Sequence, residues 1–258
     1  PWQEEFLDAA DELGMLIVCG AAVCTDGEGF YAYKDKRLWK NWSEHLLNMI
    51  RRDRNRACVV MWSLGNEILF MNNQRFAKDL PERLGDLARL VKKFDSDHPV
   101  TFEADLDPDG AYDVIGLHYP HEMPQHHAYP NTADWMDRVQ TTDAGGGMPG
   151  QRSGEFFWDR KKPLYIGEYL WVPQGDYGVG AIWFGDEAYR NRDKHHNLAK
   201  YAAWRDQTVA YRVAGVSALS PWAPYDFGAA PGDPLGREAQ KFYFKRVAAY
   251  LRNRESRV

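Results

Sequence analysis

The sequence is short of cysteine, of long apolar runs and of charge of one sign, and each shortage removes a class of protein. Three thiols, Cys19, Cys24 and Cys58, occur in 258 residues. None forms a CxxC pair, so neither a zinc ribbon nor a disulfide framework is expected. A Cys19–Cys24 bridge is open to a secreted protein; buried, reduced thiols are the default expectation. No window reaches 18 apolar residues, so no membrane span is expected. No signal peptide is visible and the chain opens on Pro1 rather than Met, which leaves its location open. Lys and Arg number 32 against 37 Asp and Glu, mixed along the chain, for a net charge of −5. A nucleic-acid or anionic-membrane partner would need a basic face, and none is present. No Gly-rich phosphate fingerprint follows an expected strand, so no nucleotide cofactor, and no other cofactor, is expected.

What is abundant is aromatic. Ten Trp and 14 Tyr can serve core packing, which composition alone favours, or sugar binding, because the apolar face of a pyranose stacks on a flat ring. Hydrophobic residues at 44% and charged residues at 27% are ordinary for a globular protein, and the length suits one large α/β domain. Helical spacing marks Glu4 to Leu13, Trp39 to Arg52, Leu80 to Phe94, Leu198 to Arg212 and Glu238 to Leu251. Short apolar runs mark strands at Met15 to Val18, Cys58 to Leu64, Pro99 to Phe102, Val114 to Leu117, Leu164 to Gly167 and Val216 to Leu219. Residues 120–160 break this alternation and read as a long irregular insertion. Six strands alternating with helices imply a parallel sheet under helices; a barrel and a doubly wound sheet both fit.

In such folds the chemistry lies just past the carboxyl ends of the strands. That rule selects Asn66 and Glu67, Glu103 and Asp105, His118 and Tyr119, Glu168, and Trp222. Two carboxylates on separate strand ends suit glycoside hydrolysis, in which one protonates the leaving oxygen and the other meets the developing positive charge. The bland reading of either glutamate is a helix cap or an ion pair with Arg. His118, His121, His126 and His127 crowd one segment without metal-ligand spacing, so no metal is expected. Trp171 can line a sugar subsite or pack in the core; Trp62, within a strand, reads as packing. Glu103 can bind a sugar hydroxyl or a neighbouring Arg and is left outside the site.

The stretch DRNRACVVMWSLGNE resembles the acid/base motif of glycoside hydrolase family two, which includes β-galactosidases, β-glucuronidases and β-mannosidases. FLDAADELGMLIV is similar to that family's upstream helix and strand, and KPLYIGEY to its nucleophile strand. The resemblance covers about Glu4 to Trp222 and implies a retaining enzyme on a (β/α)8 TIM barrel. Matched residue by residue, Glu67 would be the acid/base and Glu168 the nucleophile. Asn66 would bind the sugar 2-hydroxyl, Tyr119 would steady the nucleophile, and Trp222 would form the aromatic floor. His118 and Trp171 join them as expected substrate contacts. The resemblance also implies two further strands and β-sandwich domains upstream. Residues 1–258 are therefore expected to be a single catalytic barrel domain of a larger enzyme, without its first one or two strands. The partner implied is an oligo- or polysaccharide; homo-oligomerisation is left open. The loop after Leu13 lacks the acidic residue expected of a β-galactosidase, which leaves the sugar open. The rival readings are an endo-acting polysaccharide hydrolase of the same clan and an inactive, carbohydrate-binding remnant.

Overall fold

The computed structural model describes residues 2–24, 31–69, 79–120, 158–169, 185–190, 205 and 207–221. Helix α1 (Glu4–Leu13) buries Leu7 and Ala10, one helical step apart, and ends at Gly14 in the left-handed conformation. Its Asp11 side chain then accepts the backbone N–H of Cys58 at 2.6 Å, tying the helix to the start of a strand far along the chain. Helix α2 (Lys36–Asp53) is capped by Asp35, which accepts the Arg37 N–H at 2.8 Å. It turns Trp42, Leu46, Met49 and Ile50 inward. Helix α3 (Leu80–Phe94) buries Leu84, Leu87, Ala88 and Val91 at the same spacing. These stripes cover strands that are apolar and mostly buried, as strands covered by helices must be.

The strands are β1 (Ile17–Gly20), β2 (Val59–Asn66), β3 (Val100–Glu103), β4 (Ile115–His118), β5 (Leu164–Glu168) and β6 (Ala218–Leu219). Among the described residues every pairing between these strands is parallel and joins neighbours in chain order: β1 with β2, β2 with β3, β4 with β5, β5 with β6. A doubly wound sheet reverses its strand order at a switch point; a barrel does not. Of the two architectures that six alternating strands allow, this is the α/β TIM barrel. The two three-stranded sheets meet at β3 and β4, where the N–H groups of Asp113 and Val114 both bond the Val100 carbonyl at 3.1 Å. Leu106 and Gly116 exchange backbone hydrogen bonds across the same seam at 2.9 and 3.1 Å.

Sequence boundaries shift by one to three residues. β1 begins two residues later than the apolar run, and α2 begins at Lys36 because Asp35 caps it. β2 continues through Gly65 to Asn66 because its last residues still pair with β1 and β3 territory. Of the helix expected over 198–212, positions 205 and 207–212 are described and helical. The helix expected over 238–251 lies outside the described residues, as does nearly all of the 120–160 insertion. No disulfide links the cysteines; Cys19 and Cys58 are buried as expected, whereas Cys24 is exposed. Trp62 is fully buried and donates its indole N–H to Asp95 at 3.0 Å, the packing role read from its place in a strand.

Candidate active site

Because all six strands run the same way, their carboxyl ends gather on one rim of the sheet. Asn66, Glu103, His118 and Glu168 are the last residues of β2, β3, β4 and β5, and Glu67 follows Asn66 directly. Glu67 (φ 55°) and Tyr119 (φ 48°) leave their strands in the left-handed region, which side-chain-bearing residues adopt at a cost of about 1 kcal/mol or more. Backbone bonds hold both turns. The Glu67 N–H bonds the Glu103 carbonyl at 3.0 Å, and the Tyr119 N–H bonds the Glu168 carbonyl at 2.8 Å. Asp105 accepts the Leu69 N–H at 2.9 Å and so stabilises the turn beyond Glu67.

These turns aim three carboxylates at one imidazole. His118 Nδ1 lies 2.9 Å from Glu67 Oε1 and 3.6 Å from Glu168 Oε2; Nε2 lies 3.2 Å from Glu103 Oε2. The imidazole side chain is 0% exposed and the three carboxylates are 12–17% exposed. Oxygens of Glu67 and Glu168 lie within 4.8 Å of each other. Tyr119 donates its O–H to Glu168 Oε2 in a short hydrogen bond. Asn66 directs its amide to the Cys24 sulfur at 3.3 Å, so the segment after β1 also reaches the rim.

The electrostatics follow from burial and crowding. Burial alone would push the His118 imidazole down. The Glu168 charge and hydrogen bonds to Glu103 and Glu67 outweigh it and raise the ring to about 10. For Glu168, burial pushes the carboxyl above the ordinary 4.5; His118 and the Tyr119 hydroxyl pull it back, while Glu67 and Glu103 add to the rise. Burial and the Glu103 charge likewise hold the Tyr165 phenol protonated well above its usual range. Glu67, His118 and Glu168 each offer an atom that could ligate a cation. The same atoms also serve one another as hydrogen-bond and ion-pair partners.

The structure thus brings together Asn66, Glu67, His118, Tyr119 and Glu168 of the residues picked out in the sequence. His118, read there as a substrate contact, has both ring nitrogens turned to carboxylates. Glu103, set aside there, belongs to the cluster; its position at the end of VTFE was the available signal. Trp171 and Trp222 lie outside the described residues, as do His121, His126 and His127.

Comparisons with known proteins fit this geometry. The family described as glycosyl hydrolases family 2, TIM barrel domain, matches residues 1–209. A β-galactosidase of Pectobacterium atrosepticum is 28% identical over 127 residues, covering 48% of this chain and 11% of that enzyme. Among solved structures, an uncultured Clostridium sp. β-glucuronidase superposes with a TM-score of 0.59 at 15% identity, over 95% of this chain and 43% of the other. A β-D-glucuronidase of Dictyoglomus thermophilum also reaches 0.59 at 13% identity, over 95% and 43%. A β-galacturonidase of Eisenbergiella tayi reaches 0.57 at 20% identity, over 86% and 35%. At these identities the structural likeness speaks for the fold. The chain spans less than half the length of each of these relatives.

Proposed function

The chain belongs to glycosyl hydrolase family 2, and from that premise we propose that it is a retaining β-glycosidase with Glu168 as nucleophile and Glu67 as acid/base. One observation carries the reading: oxygens of the two carboxylates lie within 4.8 Å. A retaining enzyme needs carboxyl groups about 5–5.5 Å apart so that one can attack the anomeric carbon directly. An inverting enzyme needs roughly 6.5–9.5 Å to admit a water between carboxylate and sugar.

The roles follow from surroundings as well as from the motif. Glu168 receives the Tyr119 O–H and faces the His118 cation, both of which favour its ionised form. It attacks the anomeric carbon while Glu67 protonates the glycosidic oxygen, expelling the aglycone. Glu67, now ionised, takes a proton from water, and the resulting hydroxide breaks the Glu168–glycosyl ester with net retention. Because burial leaves the Glu168 carboxyl above 4.5, activity should fall on an acid limb lying above pH 4.5. The substrate class is a β-linked oligo- or polysaccharide; galactosides, glucuronides and galacturonides are the sugars named by relatives. Asn66 and Tyr119 are proposed to line the bound sugar, together with Trp171 and Trp222, within one catalytic barrel domain.

The test uses a panel of 4-nitrophenyl β-D-galactoside, β-D-glucuronide and β-D-mannoside with Glu168→Gln and Glu67→Gln. Each substitution should lower kcat by at least about 100-fold on the sugar accepted. The matching 2-deoxy-2-fluoro aryl glycoside should label Glu168, read by peptide mass. Near-native turnover in either variant, or a label on another residue, would remove the assignment.

A further inference from the structure

His118 is fully enclosed on the rim, and both its ring nitrogens have carboxyl partners. A neutral imidazole donates from one nitrogen only; the other must accept. Here Nδ1 and Nε2 both face carboxylate oxygens, at 2.9 Å from Glu67 and 3.2 Å from Glu103. A doubly protonated ring donates to both carboxyls at once, and the Glu168 carboxylate 3.6 Å from Nδ1 favours that state. Glu103 is built into this position from behind. A side chain on Gly167 would collide with the Glu103 carboxylate and lie 2.8 Å from His118 Nε2, so the residue before Glu168 must be glycine for the pair to fit. The Glu103 backbone carbonyl meanwhile holds the Glu67 N–H. Tyr165, on β5 one strand beyond β4, keeps its proton beside Glu103.

We propose that Glu103 and His118 form a positioning pair, in which Glu103 anchors a buried imidazolium that orients Glu67 and sets a positive charge beside the Glu168 nucleophile. The inference rests on the roles of Glu67 and Glu168 given above. Neither member touches the reacting atoms. Glu103 acts through His118, and His118 acts through the two carboxylates that do the chemistry. Glu168 must be ionised while Glu67 still carries the proton it delivers, and a cation 3.6 Å from the Glu168 carboxylate favours that division of roles. The titratable groups facing the ring are Glu67 at the end of β2, Glu103 at the end of β3, its neighbour Tyr119, and Glu168 at the end of β5. The Cys24 thiol, beside Asn66, is raised because surrounding protein partly desolvates its sulfur, although the residue is exposed, and the Glu67 and Glu168 charges add to the rise.

The pair is tested by histidine-selective 15N NMR of the full protein, alongside kinetics of Glu103→Gln on the accepted aryl glycoside. In the native protein both His118 ring nitrogens should stay protonated until the pH approaches about 10. In Glu103→Gln the His118 titration should move down by roughly one pH unit or more. kcat should fall up to about 100-fold while KM changes less than about threefold, as expected for loss of alignment rather than of binding. Gly167→Ala, which displaces the Glu103 carboxylate, should reproduce the NMR change. A native His118 titrating near 6.5 would overturn the proposal without any variant. So would a Glu103→Gln enzyme whose His118 titration and kcat match the native ones. Labelling of Glu168 by the 2-fluoro glycoside separates the two failures. If Glu168 labels and Glu103→Gln is silent, the pair falls and the catalytic assignment stands. If the label falls elsewhere, the assignment falls.

Discussion

Tyr119 offers one O–H to a carboxylate that burial would otherwise leave partly protonated. Replacing it with Phe removes that donor and little volume. A hydrogen bond to a charged group is worth roughly 1.5–3 kcal/mol, so Tyr119→Phe should cost about 10–100-fold in kcat/KM. The direction on pH is also fixed. The Tyr119 hydrogen bond lowers the Glu168 pKa, its loss raises it, and the ionised nucleophile is then scarcer at low pH. The acid limb of kcat/KM should therefore move to higher pH; a limb that stays put or moves down would show that Glu168 does not set it. At this scale the sequence was informative about which residues stand at strand ends and silent about what they face. Glu67 and Glu168 were legible because a motif surrounds each. Glu103 was not, because its partner is a histidine on the next strand and its effect on chemistry passes through that ring.

At the scale of elements, β2 is fastened to its flanking helices by polar ties within an apolar layer. The clearest is Asp95, at the end of α3, which accepts the Trp62 indole at 3.0 Å and His98 Nδ1 at 2.9 Å while 6% exposed. Asp95→Ala leaves the buried indole N–H without that acceptor and should destabilise the fold by about 1–3 kcal/mol, read from chemical denaturation. Trp62→Phe should cost less on the polar side, because Asp95 keeps the Asp97 and His98 N–H groups. If Asp95→Ala unfolds at the native denaturant midpoint, the tie contributes nothing. Helix and strand positions were the most legible part of the sequence, since a 3.6-residue stripe or a short β-branched run is a local property. Their ends were less so. α2 starts where Asp35 caps it, and β2 runs past its apolar core because strand pairing, not composition, ends a strand.

At the scale of the whole molecule, the site depends on the seam between β3 and β4, which carries Glu103 on one side and His118 on the other. Gly116 lies against the Phe102 carbonyl there, and an added Cβ would collide with that backbone oxygen. No rotamer change relieves a clash with backbone, so Gly116→Ala should cost roughly 3 kcal/mol, at the upper end of overpacking penalties. It should also lower kcat by separating Glu103 from His118, and unchanged stability and turnover together would contradict this account of the seam. The sequence by itself determined the alternation of helix and strand, the order of the two catalytic-type glutamates 101 residues apart, and the family whose motif they carry. Periodicity alone left a barrel and a doubly wound sheet both open, because strand order is a property of pairing between distant segments; the family resemblance was what implied the barrel. Only the tertiary structure decided that strands pair in chain order, that Glu67 and Glu168 stand within 4.8 Å, and that a buried imidazole and a third carboxylate join them. The physical reason is that electrostatic coupling depends on distance in space, and it is the closing of parallel strands side by side that brings these four residues to one rim.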